Sequence, residues 1–544
     1  MNNRDREAAA VTTVTAKRHV LEAPQLFRSS LLWELQRRYF SERGARAWRD
    51  EEVPHYITSN PTIASAYAET VFAFYQEQQQ LNASAAASAQ ALTICELGAG
   101  SGRFAFYFLR RLLELCSLSD IEVSAFRYVL TDFTQSNLDA WRAHPQFSDW
   151  FAAGLLDMAL FDVSRSDELL LQVSGERIGQ GALHRPLVVL ANYVFDGIPQ
   201  DLYYFDDHVA HDCLVSLMSG GGPAETSGYA SDEVDAATLL GQVQIEYSLS
   251  RLEQLPYEEP LLQQLFVAYG KALERGHLLF PATGLQTLER LRSLSGGDLF
   301  LLSADKGQCS LEEVVQDAPP ALSWHGSFSL SVNYHAMLQW GLMHGGVALQ
   351  PQYRHRSLAI ICLLLSRDAQ AYEITCQTYA RLLSGFGPDD FYTLVSFMRR
   401  HLPTMEINEV LAYLRFGQDD AHQLLRVIPR LRELAPKLDA RYVAEVRALI
   451  DRSWDRYFPL GEENDLAFEI GCLLYDLDDI DGALSYFQRA EQLYGANPGV
   501  WYNMAACQQQ LGQDEAAQAL LEQVLRVMPE NQGARALLEQ LQAS

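Results

Sequence analysis

The chain has 544 residues, 48% of them hydrophobic and 20% charged, enough for two or three domains that each bury a core. A formal net charge of −27 repels phosphate backbones and argues against nucleic acid as a partner. The most apolar run, residues 357–366, is too short to span a bilayer, so no membrane association is expected.

Residues 1–25 read as a loosely attached tail with no apolar h-region, which argues against a secretory signal. Residues 29–40 have amphipathic helical spacing, with Ser29 or Ser30 as the cap. A second helix is expected over 64–80. Thr58, Ser59 and Asn60 stand just ahead of it, and their plainest role is capping. Residues 82–90 are a small-residue linker into the first strand.

The rest of the chain is organised around the stretch 91–102, ALTICELGAGSG. Leu92 to Cys95 form a buried parallel strand, Glu96 stands at its end, and Gly98, Gly100 and Gly102 alternate before a helix over 103–115. Strand, glycine turn and helix open a nucleotide-binding α/β fold, because glycines let the backbone turn tightly and approach a ligand. Gly100 to Ala105 also fits the loose dinucleotide pattern. However, the acid that closes the second strand, 126–131, is Asp132. An acid before the glycines and an acid closing strand two form the arrangement that binds S-adenosyl-L-methionine (SAM).

Further along, 147–162 contains a third strand with Asp157 as its closing acid, and Asp162 competes for that role. Residues 186–191 are the fourth strand, followed by Asn192, Tyr193 and Asp196, which should overlook the same crevice as the glycines. About 203–260 reads as an insertion. Residues 299–304 are the fifth strand, and 390–397 are taken as the last. Beyond 400 everything reads helical. Residues 467–490 align with 501–524 at a spacing of 34, pairing Gly471 with Ala505, Ala483 with Ala517 and Phe487 with Leu521. That period, with small residues at helix crossings, is the tetratricopeptide (TPR) pattern. The domains are therefore 1–54 (tail and helical lead-in), 55–400 (the α/β domain) and 401–544 (a TPR-like domain), the last two expected to be separable. Eight scattered cysteines without a C-x-x-C pair suit a reducing, cytoplasmic setting and argue against a zinc site.

Residues 55–400 resemble the MidA-like SAM-dependent methyltransferases, the family of the mitochondrial complex I assembly methyltransferase. The family's F-I-T-S-P-E-I segment is matched by Tyr56-Ile57-Thr58-Ser59-Asn60-Pro61-Thr62-Ile63, and its E-I/L-G-A-G-x-G loop by residues 96–102. Its A-N-E-x-x-D-A-x-P segment is matched by residues 191–199, its D-Y-G by Asp305-Lys306-Gly307 and its V-D-F by Val332-Asn333-Tyr334. The resemblance implies a Rossmann-like class I methyltransferase sheet with helices on both faces. It implies that Gly98, Gly100 and Gly102 shape the pocket wall, Glu96 orients the amino-acid end of SAM, Asp132 takes the ribose hydroxyls and Asp157 lies near the adenine. Asn192, Tyr193 and Asp196 would face the acceptor, a protein side chain with a basic group such as arginine, and the TPR-like helices would recruit substrate or partner. Three family residues differ: Glu becomes Tyr193, Asp becomes Asn333 and Tyr becomes Lys306, so two carboxylates near the crevice are expected to be missing. A small-molecule methyltransferase and a SAM-binding scaffold without catalysis are the alternatives.

Overall fold

The computed structural model describes residues 19–44, 56–81, 90–219, 235–353, 355, 357–462 and 464–543. Its centre is a seven-stranded sheet: β1 (Leu92–Leu97), β2 (Phe126–Asp132), β3 (Leu156–Leu160), β4 (Leu187–Asn192), β5 (Leu299–Asp305), β6 (Val347–Leu349) and β7 (Ala359–Leu365). The spatial order is β6-β7-β5-β4-β1-β2-β3. Strands β3, β2, β1, β4 and β5 run parallel, while β7 is antiparallel to both β5 and β6. This is the Rossmann-like α/β sheet expected. Its strand order reverses between β1 and β4, where ligands of open sheets bind at the carboxyl ends. Strands β1, β5 and β7 are buried along their whole length, consistent with layers covering both faces.

Helix α1 (Leu31–Arg43) is capped by Ser30, α2 (Pro61–Leu81) packs on α3 (Arg103–Leu118), and α4 (Gln135–Ala143) follows β2. Asn60 caps α2: its Oδ1 accepts from Ile63 N at 3.1 Å, and its Nδ2 donates to the Tyr56 and Ile57 carbonyls.

Several boundaries differ from the sequence reading. The tail assigned to 1–25 ends in a strand, His19–Leu26, paired antiparallel with Val209–Ser219; residues 1–18 lie outside the described residues, as do 45–55 and the linker 82–89. The insertion is a second sheet wider than 203–260. It takes in Asp201–Asp206, Val209–Ser219, Val243–Arg251, Arg275–Phe280 and Val315–Gln316, with His19–Leu26 alongside. The expected last strand at 390–397 is instead part of the helix Pro388–His401, favoured by proline in its first turn and by Asp389 and Asp390 at its positive end. The real last strand is β7, drawn from the apolar run 357–366, whose length suits a buried strand.

The helical region continues through Ile407–Phe416, Ala421–Leu434 and Ala440–Asp455 to the paired helices Leu466–Asp476 with Ile480–Tyr494 and Pro498–Gln510 with Asp514–Val527, closed by Gln532–Ala543. Ala483, Ala490, Ala505 and Ala517 are fully buried at the crossings. Its apolar core starts before 401, with Phe391 and Val395. Phe458, from the helical region, is fully buried in the core that covers one face of the sheet. Among the described residues no helix is long and apolar enough to cross a membrane.

Candidate functional site

A cleft of about 550 Å³ opens at the carboxyl ends of the parallel strands. Its floor comprises Gly98 after β1, Asp132 and Phe133 at β2, residues 162–165 after β3, residues 193–194 and 196–199 after β4 and Lys306 after β5. α1 and the hairpin strand Ser327–Ser329 roof it. Gln36 Nε2 donates to the Phe328 carbonyl at 2.7 Å, and the Trp33 and Phe328 rings lie 5.3 Å apart.

The glycine turn adopts the left-handed conformation its sequence requires, with φ of +60°, +54° and +79° at Gly98, Gly100 and Gly102. Of the three, Gly98 alone reaches the cleft. A Cβ at Gly102 would lie 2.9 Å from the Phe147 ring and 3.2 Å from Trp141, so this glycine admits the aromatic packing behind the turn. Gly100 plays a similar part through its carbonyl, which accepts from Trp141 Nε1 at 2.9 Å.

Asp132 is pre-oriented. Its Oδ1 accepts from Thr134 N and Thr134 Oγ1, both at 2.9 Å, and its Oδ2 from Asn137 Nδ2 at 2.9 Å. Burial raises its pKa, and these donors oppose the shift. The carboxylate is thus fixed at the edge of the cleft. Glu96 lies behind the turn, not on the cleft, and accepts from Tyr128 OH at 2.8 Å. Burial pushes its carboxyl up to about 8, so at neutral pH it is largely protonated.

Asp157 does not face the cleft. It is the second residue of β3 and not its closing acid, and its oxygens accept from Met158 N, Val173 N and Ser174 N at 2.7–3.0 Å. Three backbone donors make it an anchor for the chain that returns at 169–178. Asp162, the competing acid, lies where Asp157 was expected and pairs with Arg37 of α1 at 3.0 Å. Arg37 also lies over the Phe133 ring, 4.8 Å from its centroid.

Beyond β4, Asn192 is set back from the cleft, its Oδ1 accepting from Tyr67 OH at 2.9 Å. Tyr193 lines the cleft with φ +55°, a strained position for a bulky residue, of the kind that clusters at functional sites. Asp196 lines it too, buried beside Asp305, whose Oδ2 accepts from Phe195 N and Asp196 N at 3.0 and 3.1 Å. Burial pushes the Asp196 carboxyl up to about 6, with Lys306 pulling the other way. Burial and the neighbouring Asp196 hold Asp305 well above the usual carboxylate range. Lys306 Nζ donates to Ser329 Oγ at 2.5 Å.

Asn333 is no vacancy in the cleft. It caps the helix Tyr334–Met343, accepting from Ala336 N at 2.8 Å, while its Nδ2 donates to the Leu279 carbonyl at 3.0 Å. Of the two expected missing carboxylates, only the one replaced by Tyr193 concerns the cleft. Sequence reasoning missed Asp305 as partner of Asp196, and it missed the roof residues Trp33, Gln36 and Arg37. The only local signal for the roof was the amphipathic spacing of α1.

Residues 474–541 match the tetratricopeptide repeat model. Among solved structures, a Burkholderia thailandensis protein with S-adenosyl-homocysteine bound is 14% identical over 60% of this chain and 74% of its own, with a TM-score of 0.37. An uncharacterized protein of the same superfamily from that organism is 13% identical over 66% of this chain and 88% of its own, at 0.34. An O-methyltransferase family protein, also from that organism, is 13% identical over 63% and 71%, at 0.21. No curated protein matches the chain. At this distance the cleft itself carries the functional reading.

Proposed function

We propose that the chain is a SAM-dependent methyltransferase acting on a protein side chain, with the TPR-like helices presenting substrate or partner. The observation that carries this reading is the carboxylate of Asp132, fixed at the end of β2 on the same cleft as the Gly98 turn. Paired ribose hydroxyls need such an acceptor. The cofactor supplies a methyl group already activated on a sulfonium. Asp132 would hold the ribose, and Gly98 would let the backbone approach. Phe133 and Asp162 stand where the adenine is expected in this reading, with Arg37 closing over Phe133. Glu96 sits one step behind the turn, and a ligand ammonium would favour its ionised form.

On the acceptor side, this chain's work is positioning and charge. Asp196 and the Tyr193 ring can receive a cation, which supports a basic acceptor, arginine included. Such a group has to share Asp196 with Lys306. A small-molecule acceptor gains support from the roof, since Trp33 and Phe328 cover the cleft. All eight cysteines are free thiols, which supports a reducing compartment such as the cytoplasm.

Incubating the full chain with methyl-labelled SAM and a lysate distinguishes the outcomes. A labelled protein band supports the proposal, a labelled small product supports the second reading, and no product with retained SAM binding supports a scaffold. Asp196→Asn removes charge at nearly constant shape, so it should keep cofactor binding and lose transfer. Transfer at the wild-type rate would remove Asp196 from the chemistry.

A further inference from the structure

Two pieces of backbone shape the cofactor end of the cleft, and the helical region grips both from outside. The first is the segment before α2, whose Ile57 lines the cleft. Its neighbour Tyr56 donates through its hydroxyl to Asp420 Oδ2 at 2.7 Å, and Asp420 is fully buried. One α2 turn on, Ser65 Oγ donates to Gln418 Oε1 at 2.7 Å. The turn that delivers these groups is strained, with consecutive left-handed residues Gln418 (φ +56°) and Asp419 (φ +57°).

The second piece is the glycine turn. Arg103 follows Gly102 directly, is buried, and pairs with Glu462 while its Nη2 also donates to the Phe458 carbonyl at 3.3 Å. The Phe458 ring stacks on His144 with centroids 3.8 Å apart and lies 5.2 Å from Phe147, the ring that fills the space beside Gly102. His422 joins the two grips, with Nδ1 3.5 Å from Asp420 and Nε2 3.7 Å from Glu462. Buried charges of this kind are tolerated only when paired, so loosening one grip leaves groups of the other unsatisfied.

Resting on the cofactor reading above, we propose that Asp420, His422 and Glu462 are positioning residues for the cofactor cleft, acting through Tyr56 and Arg103. The helical region is then a working part of the cofactor site and not a recruitment arm alone. By linkage, whatever stabilises this network tightens cofactor binding, and cofactor binding stabilises the network by the same factor.

The test uses the full-length chain and S-adenosyl-homocysteine. Calorimetric titration of wild type, Tyr56→Phe, Glu462→Gln and the double variant is combined with amide hydrogen exchange with and without the ligand. Tyr56→Phe keeps the ring, and Glu462 is partly exposed, so at least one variant should fold. Each single variant should bind at least fivefold more weakly, and the double variant by less than the product, because the two grips share His422. In the wild type the ligand should slow exchange at 417–423 and 457–462, which a merely structural contact would not do. Affinities within twofold of wild type in both single variants, or protection confined to residues lining the cleft, each overturn the proposal. A wild-type chain that fails to bind the ligand overturns the cofactor reading, and this assignment with it.

Discussion

Replacing Asp132 by asparagine isolates its charge from its structural duties. Alanine would orphan three donors, Thr134 N, Thr134 Oγ1 and Asn137 Nδ2, each costing about 1–3 kcal/mol, and would confuse binding with folding. Asparagine keeps an oxygen for Thr134. Its new amide would oppose Asn137 Nδ2, but the Asn137 Oδ1 has no partner, so a flip of the Asn137 amide restores the bond. Asp132→Asn should therefore cost little stability. It removes a charged acceptor from the two ribose hydroxyls, and hydrogen bonds to a charged group contribute about 1.5–3 kcal/mol each. Even a loss of one to two such bonds' difference from neutral ones, ~1.5–3 kcal/mol, weakens binding roughly 10- to 100-fold. Calorimetric titration with S-adenosyl-homocysteine, alongside thermal unfolding, reads both quantities. Wild-type affinity in a chain with unchanged melting temperature would refute the assignment of Asp132, and with it the observation on which the proposed function rests.

Glu96, pushed up to about 8 by burial from its ordinary 4.5, predicts a signed pH effect. Between these values the unfolded chain has lost a proton that the folded chain keeps, so this group lowers stability progressively from pH 4.5 to 8, by ~1.4 kcal/mol per pH unit at most. Glu96→Gln should therefore raise the melting temperature more at pH 8 than at pH 5, and a gain equal at both would contradict the burial argument. Gly102→Ala places a Cβ 2.9 Å from Phe147 in a left-handed backbone, and should destabilise by roughly 2–4 kcal/mol, measured by denaturant unfolding. A chain ending at residue 400 loses Phe458 from the sheet domain's core and Glu462 from Arg103; it should be poorly soluble or melt far below the full chain, and a folded, equally stable fragment would show the two regions to be independent.

What the sequence disclosed depended on the range of the interactions involved. The Gly98–Gly102 turn was legible because left-handed backbone is a local demand that only glycine meets cheaply, and β1, β4 and β5 were legible because fully buried strands are continuous apolar runs. Asp132 followed from both, since it is the residue at which an apolar run ends. Asp157 misled for the same reason. An acid near the end of an apolar stretch looks like a closing residue, but β3 starts at Leu156, and the backbone donors of residues 173 and 174, which come from a later hairpin, claim its carboxylate. Asn333 misled through analogy: at the position of a family carboxylate it reads as a lost charge, whereas the hydrogen bond its Nδ2 donates to the Leu279 carbonyl is one that an ionised aspartate could not make. Most hidden were contacts between distant segments. Arg37 of α1 meets Asp162 beyond β3, and Arg103 meets Glu462 across 359 positions. No periodicity encodes such pairs, because each partner alone is an ordinary surface-type residue on an amphipathic helix or loop. They are also the contacts that turn an open sheet edge into a roofed and buttressed cleft. The part of the site least visible in the sequence is thus the part that distinguishes this chain from a bare Rossmann-like sheet, and substitutions there test its function more sharply than further changes in the glycine turn.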